Sequence, residues 1–303
     1  MKKKRMIAAA ALGTLLIVTA GLLWPRGGQG VFYRIQGGKS EMVVLGSIHA
    51  GSREMYPMSR SIRHALKDAD TLVFECDTES EEALATTQQL MYYPQEESLS
   101  EHVSESCLAA LSETAQKLGY DPQALNRLKP WALVSMLSVE SMSQQTGGSS
   151  ELGVENQVRR MAKGKTVRYL ETAEEQLLLM DGFSAELQEY LLMDACEAAL
   201  HHGRTNDDAQ HWPAWWAKGD ADAFAASYRK GMEDETQPQL AQEYHEKLIT
   251  GRNQRMARTL GQMLEEEGGS FFVTVGLMHL VLEEDSILTR LENMGYTIER
   301  IME

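Results

Sequence analysis

Two stretches far apart in the chain carry the same plan. Glu41–His49 reads EMVVLGSIH and Phe271–His279 reads FFVTVGLMH: an apolar run, a glycine, two residues and a histidine. Continuous apolar runs of this length suit strands buried on both faces. A glycine at the end lets the backbone turn sharply and leaves each histidine just beyond the strand's carboxyl edge. In open α/β sheets ligands bind at that edge. Two histidines brought there by one sheet make half of a metal site.

The rest of the chain fits an α/β protein with a central β-sheet and an inserted, mostly helical subdomain. Strands are expected at Val31–Gln36, Met42–Leu45, Thr71–Phe74, Thr166–Leu170, Phe271–Val275 and Tyr296–Arg300, with helices at Ser59–Asp68 and Asp285–Met294. The pattern from about 80 to 265 is otherwise helical, with breaks at Tyr93-Pro94, Gly119 to Pro122, Gly147 to Ser150, Asp181-Gly182, Pro213, Gly219-Asp220 and Gln237-Pro238. Four strands therefore run into a histidine or carboxylate: His49, Glu75 with Asp77, Glu171, and His279. Taken singly, each is an ordinary loop residue or helix cap; four aimed at one edge describe a site.

The order of short motifs resembles the TraB/GumN family, relatives of the Tiki proteases and, more distantly, of the erythromycin-esterase-like hydrolases. The resemblance runs through LGSIHAGS (45–52), LVFECD (72–77), KPWAL (129–133), LGVENQV (152–158) and GKTVRYLETAEEQL (164–177). It continues through WWAKGDADAF (215–224), GRNQRMA (251–257), VTVGLMHL (273–280) and GYTIERI (295–301), so that residues 28–303 form one catalytic-type domain. The resemblance implies a metal-dependent hydrolase, in the first instance a protease acting on a peptide or small protein. His49, His279 and Glu75 match the residues expected to hold a divalent ion, with zinc, manganese and cobalt equally suited to such ligands. Glu171 is the first expectation for proton transfer and Asp77 the second, while Arg252 would fix a carboxylate or stabilise an oxyanion.

One departure stands out. After the second histidine the family reads Leu-Val-Gly-Glu-Asp-Ser, whereas this chain reads Leu280-Val281-Leu282-Glu283-Glu284-Asp285-Ser286, with the glycine replaced and one residue added. Losing that glycine is expected to distort the turn holding His279. It is also the feature that favours the rival reading, a non-catalytic protein that sequesters a peptide or pheromone. Hydrolysis of an ester or lactone is a third reading, carried only by the distant esterase resemblance.

Other residues are given plainer roles. Cys76 alternates away from Glu75 and Asp77 and reads as a buried thiol. Met136, Met142, Met161, Met180 and Met193 read as core fillers, and Trp131, Trp212, Trp215 and Trp216 as packing anchors of the helical part. His64, His102 and His245 read as solvated, and His201, His202 and His211 as helix-surface residues.

The amino terminus and the charge bound the setting. KKKR at 2–5 precedes nineteen uncharged residues, Met6 to Trp24, the order of a membrane anchor or signal segment over residues 1–27. Val18-Thr19-Ala20 offers a weak cleavage site, so the body is expected outside the cytoplasm, either tethered or released. A net charge of −15 argues against nucleic acid as a partner, because phosphate binding wants a basic face. Three cysteines make no disulfide framework.

Overall fold

The computed structural model describes residues 27–146, 148–200, 208–232, 237–266, 268–282 and 284–303. The expected anchor or signal segment lies outside them, apart from Gly27. No helix among the described residues is long and apolar enough to cross a membrane.

Six strands form one sheet in the order β4-β3-β5-β2-β1-β6. They are β1 (Phe32–Gln36), β2 (Glu41–Ser47), β3 (Thr71–Phe74), β4 (Thr166–Tyr169), β5 (Ser270–Gly276) and β6 (Thr297–Arg300). β4, β3, β5 and β2 run parallel, and β1 pairs antiparallel with both β2 and β6. The last parallel strand in sequence thus sits between the first two. Residues Phe271–Val275 are all buried, as their unbroken apolar pattern requires. Gly46 lies opposite Val275 and Ser47 opposite Gly276, so the two motif strands are neighbours staggered by one residue.

Helices cover the sheet. Arg60–Asp68 buries Ile62 and Leu66, and its start is fixed by Ser59, whose hydroxyl accepts from the Ile62 N–H. Gly251–Leu264 buries Met256, Ala257, Leu260 and Leu264, one face at helical spacing. Trp216, fully buried, donates its indole N–H to the Gly46 carbonyl at 2.8 Å. It belongs to the core beneath the sheet rather than to a separate helical part. Trp216→Phe is expected to cost about 2–3 kcal/mol, by lost volume and an orphaned Gly46 carbonyl, as read from urea unfolding.

The region between 80 and 265 is not one insertion. β4 returns to the sheet edge in its middle, and Val154, Val158, Phe224 and Met256 all enter the sheet core. A second core, around Leu99, Leu111, Leu133, Leu137 and Leu192, defines the separate helical part, and Cys107 and Cys196 are free thiols buried in it. Pro213 and Pro238 stand in the first turns of helices, where a missing N–H costs nothing, so the expected breaks fall just ahead of them. Met161 and Met193 are exposed rather than core residues, and the side chain of Met142 lies outside the described set.

Candidate active site

At the carboxyl edge of the parallel strands, the ends of β3, β4 and β5 meet. The Glu171 N–H donates to the Glu75 carbonyl at 2.7 Å, which ties the β4 end to the β3 end. Arg252, from the Gly251–Leu264 helix, lies between the two carboxylates. Its Nη2 reaches Glu75 Oε2 at 2.7 Å and Glu171 Oε2 at 2.8 Å, while its Nε donates to Glu171 Oε2 at 2.9 Å. Arg255 and Gln176 add bonds to Glu171 at 3.1 Å and 3.2 Å, and the Glu171 side chain is only 2% exposed. Enclosed by two guanidinium groups and an amide, Glu171 holds Arg252 in place.

His279 follows β5 in the short helix Met278–Val281 and is buried. Its Nδ1 lies 2.6 Å from Asn253 Oδ1, and the amide group of Asn253 donates to the Asp285 carbonyl. With the amide so oriented, Oδ1 can only accept, so Nδ1 carries the proton and Nε2 presents a lone pair. That Nε2 is 3.7 Å from Glu75 Oε1. Burial lowers His279 to about 4; Glu75 opposes this, while Arg252 and His49 reinforce it. Burial alone would raise the Glu75 carboxyl, but His279, Arg252 and the Gly276 N–H outweigh it and set it at about 2. A neutral imidazole lone pair therefore faces an ionised carboxylate, a pair that a cation between them would satisfy. Ligands about 2.1 Å from a tetrahedral ion lie about 3.4 Å apart, close to the observed separation.

The altered loop does not release this histidine. Asp285 closes a turn back onto Leu282 at 3.0 Å, and its carbonyl holds the Asn253 amide. Glu283, inside the loop, lies outside the described residues. Asn253→Leu removes the partner that fixes this tautomer and is expected to let His279 sample both tautomers, as read from the 15N shifts of its ring nitrogens.

The motif glycines serve close approach rather than a turn. Neither Gly46 nor Gly276 has a positive φ. A Cβ on Gly276 would stand 2.9 Å from Glu75 Oε1, blocking the carboxylate from the Gly276 N–H that it accepts from. A Cβ on Gly46 would press on Leu277 at 3.2 Å. The glycine of each motif thus admits a neighbour to the backbone.

His49 stands exposed past the end of β2. A strap from 149 to 155 packs against its loop: Ser149 and Gly51 exchange backbone bonds, and the Val154 N–H reaches the Ile48 carbonyl at 3.1 Å. A Cβ on Gly153 would collide with the His49 carbonyl. This strap delivers Glu155, whose Oε1 accepts from the Ser47 hydroxyl at 3.3 Å. Burial raises the Glu155 carboxyl; the field of Glu75 adds to the rise, whereas His49 and Arg159 pull it down. Glu155 and Asn253 lie inside motifs quoted above, LGVENQV and GRNQRMA, but neither ends a strand. The one local signal for Glu155 was a carboxylate in the first turn after Gly153.

Asp77 is not brought into this group. It is near the surface, and its Oδ1 accepts the Glu79 and Ser80 N–H groups at 3.0 and 3.1 Å, leading into the helix Glu81–Leu90. Cys76 is buried, and burial together with the nearby carboxylates pushes its thiol up to about 12, so it is inert. His245 is not simply solvated: Nδ1 lies 3.1 Å from the Tyr228 hydroxyl, and Nε2 is 3.9 Å from Asp285. His201 and His202 lie outside the described residues.

Among the described residues no three histidine, cysteine or carboxylate side chains are placed so that together they could hold a metal ion. His279 and Glu75 face one another as a pair, and His49 stands exposed beyond the end of β2.

A family model, the TraB/PrgY/gumN family, matches residues 31–300. The chain is similar to the uncharacterised YbaP protein of Escherichia coli strain K12, 27% identical over 247 residues, which cover 80% of this chain and 85% of that one. It is likewise similar to YbaP of Shigella flexneri, 27% identical over 241 residues, covering 78% and 83%. No solved structure matches. With all six strands of the sheet and every residue of the strand-end cluster inside the matched span, the chain belongs to the TraB/PrgY/gumN family.

Proposed function

We propose that this protein is a metal-dependent hydrolase acting on a peptide or small protein outside the cytoplasm, with residues 1–27 as its anchor or cleaved signal. The observation that carries the reading is the pinned His279 tautomer, whose Nε2 lone pair faces the Glu75 carboxylate at 3.7 Å. His279, Glu75 and His49 would hold the ion. Zinc, manganese or cobalt there would supply a water acidified to a pKa of about 7 and a charge that polarises a carbonyl.

The chain's own residues do the rest. Arg252 keeps Glu75 ionised and aimed, and Glu171 keeps Arg252 in place. Asn253 holds the proton on His279 Nδ1, leaving Nε2 free to bind. Proton transfer falls to Glu155 rather than Glu171 or Asp77, because Glu171 is occupied by two arginines and Asp77 is engaged by the Glu79 and Ser80 N–H groups. Glu155 is half-buried with one hydroxyl donor, the Ser47 Oγ, so it can give and take a proton as the substrate amide is cleaved.

The sequestering reading rests on the departure at Leu282–Asp285. One experiment separates the two: peptide cleavage with added zinc, manganese or cobalt, wild type beside His49→Ala and His279→Ala. Metal-dependent cleavage lost in both variants supports the hydrolase. Cleavage that persists in both would refute it, and peptide binding without cleavage would favour sequestration.

A further inference from the structure

A cavity of about 240 Å³ opens between the helices Pro130–Thr146 and Ala185–Leu200 and the stretch that leads into Arg252. Its walls are mostly apolar or aromatic, among them Trp131, Met180, Phe183, Leu191, Tyr244 and Leu248, and Gln188 and the carboxylate of Asp194 also line it. A whole drug-sized ligand needs about 300–1,000 Å³, so this space fits one side chain rather than a molecule. Its position is informative. Leu248 lies one turn before Arg252 in an unbroken helical path, and Glu246–Thr250 forms a wide π-turn, a feature common at functional sites. Tyr244 lies close enough to Arg252 for the guanidinium to act on its hydroxyl. The cavity is therefore lined by the turn of chain that leads directly into Arg252. Trp131 is 6% exposed, and its indole N–H has no acceptor among the described residues, which is unusual for a buried tryptophan. Ser135 and Ser138 are exposed at the rim, so the opening faces solvent.

We propose that this cavity is a specificity subsite that receives one large apolar side chain, of the leucine, methionine or phenylalanine kind, from the peptide substrate. The proposal rests on the hydrolase reading for its substrate class. The mostly apolar walls favour such a side chain over an acidic one, which would lose its hydration and meet the Asp194 carboxylate instead of a partner. A small side chain would leave most of the space unfilled.

The test uses the full chain carrying His279→Ala, so that turnover does not consume the probe. The indole N–H resonance of Trp131, assigned with Trp131→Phe, is followed while N-acetyl tripeptide amides Ala-Leu-Ala, Ala-Phe-Ala, Ala-Ala-Ala and Ala-Glu-Ala are added. The leucine and phenylalanine peptides are expected to shift it saturably, about ten- to a hundredfold more tightly than the other two. Ser138→Phe, which fills the mouth from an exposed position, is expected to remove the difference. Equal responses to all four peptides, or no response to the leucine and phenylalanine peptides at millimolar concentration, would overturn the subsite. Since this readout needs no cleavage, failure of the hydrolase reading and failure of the subsite are seen separately.

Discussion

Replacing Arg252 with alanine is expected to cost about 3–5 kcal/mol of folding stability, the scale for removing one partner of a buried ion pair. The guanidinium is 10% exposed and serves two carboxylates, Glu75 at 12% and Glu171 at 2%. Without it both would be left charged in a poorly hydrated place, with the Gly276 N–H and Arg255 as partial compensation. The deficit is read from the urea midpoint of the metal-free protein. Glu171→Gln in the Arg252→Ala background should recover part of it, because one unpaired charge is removed. A loss below about 1 kcal/mol would mean that the three side chains behave as a solvated surface cluster.

Glu155→Gln carries the other large effect, on turnover rather than on stability. Removing a group that transfers a proton in the transition state lowers the rate by about 10²- to 10⁴-fold. Glutamine preserves the shape and keeps an oxygen to accept from the Ser47 hydroxyl, so folding and metal affinity should hold. Glu171→Gln should instead act through Arg252, lowering stability together with activity. Steady-state kinetics beside urea unfolding distinguishes the two patterns. Unchanged kcat in Glu155→Gln would return the proton-transfer role to another group.

The architecture was legible because buried parallel strands leave unbroken apolar runs, and Thr71–Phe74 and Phe271–Val275 could not be mistaken for loops. His49, Glu75, Glu171 and His279 were legible for the same reason, as each follows a strand that points to one edge. Glu155 and Asn253 were hidden because they reach the site from helices, where a single polar residue looks like any other cap or surface group. The motif glycines were assigned to turning the chain. Their use for close approach depends on where Glu75 and Leu277 come to rest, and that is a tertiary fact. Asp77 shows the opposite error: adjacent to a site residue in sequence, it faces a helix start instead. Trp216 likewise sits in a helix-rich stretch yet packs under β2, because local sequence says nothing of which core a helix joins.

The most direct measurement is calorimetric titration of zinc, manganese and cobalt into the metal-stripped protein, wild type beside His279→Ala. The account predicts stoichiometric binding of at least one of these ions to the wild type and at least a hundredfold weaker binding to the variant. Equal affinity in both, or no binding of any of the three to the wild type, would contradict it.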